Sequence, residues 1–156
     1  MDTLIDTRTV RLVRVFDAPR ERVFDAWTVP EQFVAWMCPP GFGLDRCELD
    51  VRTGGAWRAH GYKPDGTHFA KGGVYLEVKR PERLVFTWAH HADDSYSSPR
   101  GHETTVEVTF RAIGNKTELT LVQGTFVDVP NFNGHNEGWK GSFDKLSAYL
   151  VRSGLS

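Results

Sequence analysis

The sequence predicts an α+β fold: an antiparallel sheet of six to seven strands, two short helices near the N-terminus, and a long C-terminal helix packed on the apolar face of the sheet. Three observations predict it. Short alternating apolar and polar segments divided by turn residues run from about residue 41 to 124. Residues 135–150 carry an apolar stripe at helical period, and residues 9–37 read as a strand followed by two short helical segments.

The first element, TVRLVRVF (9–16), is rich in β-branched residues and reads as a strand. Asp17-Ala18-Pro19 then starts a helix with Pro19 in its first turn, and Val23, Phe24 and Trp27 share one face. Thr28-Val29-Pro30-Glu31 has the form of a capping box opening a second short helix with Phe33, Trp36 and Met37, which Cys38-Pro39-Pro40-Gly41 ends. The meander has turns at Thr53-Gly54-Gly55, Pro64-Asp65-Gly66, Arg80-Pro81-Glu82 and Gly114-Asn115-Lys116.

Period two assigns the buried faces. Cys47, Leu49 and Val51 share one, as do Val74, Leu76 and Val78, then Leu84, Phe86 and Trp88, then Val106, Val108 and Phe110. Gly54-Gly55 reads as a hairpin turn and Gly72-Gly73 as a bulge rather than as phosphate cradles. The polar run HHADDSYSSPRGH (90–102) reads as a mobile loop at one end of the sheet. In the last segment Trp139, Phe143, Leu146 and Leu150 fall in one narrow stripe with His135 at its head, while Lys140, Gly141, Asp144, Ala148 and Val151 lie on the far side. An apolar sheet face needs a cover, and this is the one long amphipathic helix available, so the stripe is expected to face the sheet.

Bulk properties narrow the function. The 156 residues make one domain, 1–156, long enough to bury roughly two thirds of the unfolded surface. With 19 Lys plus Arg against 20 Asp plus Glu the net charge is −1, with no basic stripe, so neither nucleic acid nor an anionic membrane is expected as a partner. No membrane-length apolar run or signal-peptide core occurs, and a cytoplasmic location is expected. Cys38 and Cys47 lack metal or redox spacing and are expected as reduced thiols.

No Ser/His/Asp set, P-loop, G-x-G-x-x-G or H-E-x-x-H occurs, so no catalytic residue is assigned. His90, His91, Asp93 and Asp94 have metal-donor chemistry, but adjacent residues of an extended segment point to opposite faces, and the expectation is a solvated loop without metal or cofactor. Glu107 is expected to face solvent, and His60, opposite Trp57 and Ala59, to be an outward-facing surface histidine. His135 stays open between a helix-end histidine bonded to backbone or water and a ligand contact. Aromatic side chains can fill a core or line a pocket, and the candidate cavity lining is Trp36, Trp57, Phe86, Trp88, Val108, His135, Trp139 and Phe143, with Trp36 and Trp139 the preferred pocket residues.

Four stretches together carry a resemblance: AP-RERVFDAWTVPEQFVAWMCPP (18–40), D-x-R-x-GGAWR (50–58), KGGVYLEVKRPERLVFTW (71–88) and GWKGSFDKLSAYL (138–150). In order and spacing they resemble the activator of heat-shock protein 90 ATPase homologue family, a branch of the START and birch-pollen-allergen helix-grip superfamily. The resemblance covers nearly the whole chain. It implies a single START-like domain of the helix-grip fold whose curved sheet grips the last helix on its concave face over a cavity for an apolar or amphipathic small molecule, and it brings in stress response and a possible chaperone partner. In the eukaryotic cochaperone the matching domain follows a separate N-terminal module, whereas this chain begins at the first strand, so weak or no ATPase stimulation is expected. Binding of an apolar or amphipathic small molecule in an internal cavity comes first among the readings, a cochaperone-like interaction second, and a cyclase or hydratase type of enzyme third. A monomer or weak dimer is expected.

Overall fold

The computed structural model describes residues 8–153, so the expected domain limits at 1 and 156 lie outside the described residues. Strand β1 (Thr9–Phe16) leads into α1 (Arg20–Thr28) and α2 (Pro30–Trp36). The meander follows as β2 (Gly43–Leu49), β3 (Ala56–Tyr62), β4 (His68–Lys79), β5 (Arg83–His90), β6 (Thr104–Ile113) and β7 (Lys116–Gly124), and α3 (Val129–Ser153) closes the chain. All seven strands join one antiparallel sheet in the order β1-β7-β6-β5-β4-β3-β2. Short connections set this order from β2 to β5 and from β6 to β7, and the longer loop between His90 and Thr104 still returns β6 to lie beside β5. Only β1 returns from a distance, pairing Thr9 to Phe16 along Gly124 to Thr117.

The expected stripe of α3 faces the sheet: Trp139, Phe143, Leu146 and Leu150 are at most 3% exposed. Lys140 and Asp144 are exposed, and Asp144 receives a hydrogen bond from Arg14 of β1 at 2.6 Å. Gly141, expected on the far side, instead lies where a Cβ would come within 2.8 Å of Pro40 Cδ, so its small size lets the helix approach the Pro39-Pro40 turn. The helix also begins earlier than the stripe predicts. Asp128 caps it by accepting from the Asn131 amide at 2.8 Å, and Pro130 sits in the first turn where no backbone donor is needed. His135 therefore lies in the second turn, not at the head.

Other expectations are corrected by local geometry. Thr28 forms no capping box: its hydroxyl donates to the Phe24 carbonyl at 3.0 Å, and α2 starts at Pro30 without a side-chain cap. Over residues 74–76 of β4 the buried residue is Tyr75, while Val74 and Leu76 are 39% and 48% exposed. An irregularity between Tyr75 and Glu77 leaves Leu76 without a partner on β5 and shifts the pairing by one residue, which reverses the parity of the period-two reading. The bulge is thus at Leu76 and not at Gly72-Gly73. Those glycines keep regular register, and Gly73 is small because a Cβ there would strike the Thr87 carbonyl oxygen of β5.

The loop after β5, expected to be mobile, is tied to the sheet at its base. His91 and Arg100 form a bridge, Gly101 donates to the His90 carbonyl at 2.8 Å, and the Arg100 guanidinium donates to the Gly72 carbonyl at 2.9 Å. The loop folds onto the convex face and helps cover His60, which is 5% exposed rather than on the surface. Both cysteines are free, and no described helix is long and apolar enough to cross a membrane.

Candidate functional site

Where the N-terminal half of α3 lifts from the sheet, a cleft of about 630 Å³ opens between α3, the turn after α2, the β3–β4 hairpin and the end of β5. This volume lies within the usual range for a small-molecule site. Met37, Phe42, Phe69, Trp88 and Trp139 give it apolar walls. The strand register then sets the polar groups. Lys71 of β4 pairs with His90 of β5, so the two side chains share the concave face, and Phe69, two residues before Lys71, shares it too.

Lys71 dominates the electrostatics. It is 4% exposed, and its Nζ lies 3.4 Å from Cys38 Sγ, 4.3 Å from the centre of the Trp88 ring and 5.2 Å from that of Phe69. Among the described residues it pairs with no carboxylate. Aromatic faces attract a cation, but the strength is about 0.5–2 kcal/mol against a desolvation cost of several kcal/mol for a buried ion. Opposite it, Cys38 adopts a φ of +86°, a left-handed conformation unusual for a residue with a Cβ. Its carbonyl accepts from Lys145 Nζ of α3 at 3.0 Å, which helps hold the turn against the helix.

Two imidazoles sit across the cleft with ring centres 5.6 Å apart. His90 Nε2 accepts from the Trp88 indole at 3.3 Å, which places its proton on Nδ1. His135 packs on Phe126 and edge-on to Trp88. Desolvation between the cleft walls, followed by the Lys71 charge, pushes His90 down to about 3, although one side of its ring is open to solvent, and His135 down to about 4. Both are neutral at physiological pH, and the cationic side chains of the cleft are the buried Lys71 and the exposed Lys63.

The linkage to stability follows from these directions. The unfolded chain binds protons on both histidines below an ordinary value of about 6.5, before the folded chain does. Stability from these sites is therefore level above pH 6.5 and falls as pH drops toward about 4, where His135 protonates in place. Melting temperature measured against pH should decline across this window, and the double variant His90→Asn/His135→Asn should decline less. An identical slope in the two proteins would contradict the assignment.

The eight residues expected from sequence divide. Trp88, His135 and Trp139 meet at the cleft, with Trp88 centred 5.6 Å from His135 and 5.5 Å from Trp139. Trp36 lies behind the wall, fully buried, donating to the Ala26 carbonyl at 2.8 Å and packed edge-on to Trp27. Trp57 and Phe86 flank a separate void of about 10 Å³ deeper in the core, and Trp57 donates to the Thr87 carbonyl. Val108 and Phe143 are core residues at 0% and 1% exposure. The sequence marks none of Lys71, Cys38 or Phe69 as a pocket residue and places His90 in the solvated loop, whereas the structure brings all four to the cleft. A period-two reading extended back from Gly73 through Lys71 to Phe69 is the one sequence signal that points to the lysine.

A seven-stranded antiparallel sheet closed over a long C-terminal helix, with a cleft where the two diverge, defines a helix-grip protein. The chain belongs to the family described as activator of Hsp90 ATPase homolog 1-like protein, whose pattern matches residues 17–151. A protein from Chromobacterium violaceum is 32% identical, covering 92% of this chain and 96% of its own, with a TM-score of 0.78. The structure described as the AHSA1 protein from Silicibacter pomeroyi is 27% identical over 93% of this chain and 99% of its own, with a TM-score of 0.82. One from Nitrosomonas europaea, 22% identical over 98% and 100%, shares the fold at a TM-score of 0.82. None of the curated proteins compared matches this chain.

Proposed function

We propose that the cleft binds an amphipathic small molecule with an apolar body and an acidic head. The observation that carries this reading is Lys71, a buried cation with no carboxylate partner among the described residues, set in walls of aromatic rings. An anionic head beside Nζ offsets the desolvation of the ammonium, and the rings of Trp88, Trp139, Phe42 and Phe69 take the body. His90 and His135, neutral and adjacent, donate or accept hydrogen bonds at the head without adding charge.

Decanoate, decanol and decylamine make the test, read by thermal shift and calorimetry. A ligand that binds only the folded chain stabilises it by RT ln(1 + [L]/Kd), about 2.7 kcal/mol at a hundredfold excess over Kd. Decanoate should raise the melting temperature most and decylamine least. Lys71→Met keeps the length and apolar stem, and should weaken decanoate by about tenfold to a hundredfold, the scale of one hydrogen bond to a charged group. Equal binding by wild type and Lys71→Met would remove the lysine from the proposal. The family description supports the cochaperone reading as a second one. Stimulation of a heat-shock protein 90 ATPase that is unaffected by Lys71→Met would place that activity on a surface away from the cleft.

A further inference from the structure

On the convex face, at the rim of the cleft, three side chains from three strands converge. Asp45 lies at an irregularity of β2, between Leu44, which pairs with Gly61, and Arg46, which pairs with His60. One extra residue at that point re-aims its side chain, and the carboxylate turns onto the face of His60. His60 Nδ1 stands 2.8 and 3.0 Å from the two Asp45 oxygens. His68, the first residue of β4, places its Nδ1 3.7 Å from Asp45 Oδ2, with its ring nearly parallel to that of His60 at 5.2 Å.

We propose that Asp45, His60 and His68 form a site for a divalent transition ion, with zinc the best fit. The three donor atoms lie within 4.8 Å of one another. Bonds of about 2.0–2.2 Å in a tetrahedron set neighbouring ligands about 3.3 Å apart; Asp45 Oδ2 stands 3.0 Å from His60 Nδ1 and 3.7 Å from His68 Nδ1, and rotation of the exposed His68 ring brings the third separation, within 4.8 Å, toward that spacing. Two imidazoles and one carboxylate suit zinc, and three protein ligands leave a fourth position for water. The other nitrogen of His60, Nε2, faces Asp94 Oδ2 of the β5–β6 loop at 3.6 Å. A carboxylate behind a ligating imidazole fixes its orientation and raises its basicity, an arrangement common at metal sites. His60 is buried and anchored by the sheet, whereas the His68 side chain is about half exposed and free to close on an ion. The opposing charge is Arg46, 3.7 Å from Asp45 Oδ1 but 62% exposed and able to swing into solvent.

This departs from the sequence expectation of no metal, because residues 45, 60 and 68 match no ligand-spacing motif and meet only through strand pairing. An ion here would clip β2, β3 and β4 together at the cleft rim, to which His68 also contributes. The alternative is that Asp45 and His60 form only a hydrogen-bonded pair that stabilises the bulge.

The experiment titrates the full chain, stripped of metal, with zinc chloride against a chromophoric zinc chelator. Wild type should bind one equivalent. His68→Ala, at an exposed position, and Asp45→Asn should each weaken binding at least tenfold, and Asp94→Asn by about tenfold. His90→Asn/His135→Asn should bind as wild type, which separates this site from the imidazoles of the cleft. Circular dichroism on each variant confirms that it is folded. No competition by wild type, undiminished affinity in both His68→Ala and Asp45→Asn, or loss of binding in the cleft double variant would each overturn the proposal.

Discussion

Trp27→Ala and Phe143→Ala are each expected to lower the free energy of unfolding by about 3–5 kcal/mol, because removing a buried aromatic loses its transfer energy and leaves a cavity. Trp27 is the hub of the core. It stacks on Trp139 at 5.6 Å with planes 27° apart, meets Trp36 at 4.8 Å, and contacts the rings of Phe86, Phe110 and Phe143. Phe143 joins that cluster to Phe16 of β1, at 5.7 Å and nearly perpendicular. Its loss therefore loosens α3 from both β1 and α1. Trp27→Phe should cost clearly less than Trp27→Ala, since aromatic packing survives and the indole N–H, buried without a partner among the described residues, is removed. Lys140→Ala, at an exposed position where the ammonium pairs with Glu137, should stay within about 0.5 kcal/mol. Denaturant melts supply the measurement. Aromatic variants that melt with wild type would mean that α3 does not pack on the sheet.

Gln123→Leu is expected to cost about 2–3 kcal/mol through a different mechanism. Gln123 is fully buried on β7; its Oε1 accepts from the Trp139 indole at 2.7 Å, and its Nε2 donates to Thr104 Oγ1 at 2.9 Å. Leucine fills similar space but leaves the Trp139 N–H in the core with no acceptor, and that desolvated donor sets most of the cost. Thr104 still donates to the Trp88 carbonyl, so it loses less. In a Trp139→Phe background the donor is gone, and Gln123→Leu should then be nearly neutral. A double-mutant cycle measures this coupling directly. Strict additivity would show that the hydrogen bond contributes nothing to stability.

The cleft was legible only in part, and the reason is local. Trp139 and His135 belong to one helix, so their shared direction follows from 3.6 residues per turn. Trp88 follows from period two along a regular strand. Lys71 does not announce itself, because a lysine in a strand ordinarily points to water. What buries it is the approach of Cys38 from a turn 33 residues earlier and the ring of Trp88 beside it. His60 shows the same limit from the other side. Its direction, away from Trp57, was read correctly, but the Asp45 and Asp94 side chains that cover it come from a bulge and a distant loop.

The sequence by itself determined the antiparallel pairing of β2 to β5 and of β6 with β7 through short connections, the helical stripe and the sheet face it covers. Each of these rests on interactions between residues close in the chain, or on a single apolar face needing a single cover. The tertiary structure alone decided which side chains meet. The irregularities at Asp45 and Leu76 each change strand parity by one residue, and parity decides whether a side chain enters the cleft, the core or solvent. The contacts among Cys38, Lys71, His90 and His135, and among Asp45, His60 and His68, depend on those registers. A register is set by the packing of the whole sheet against α1, α2 and α3, which no short stretch of the chain contains.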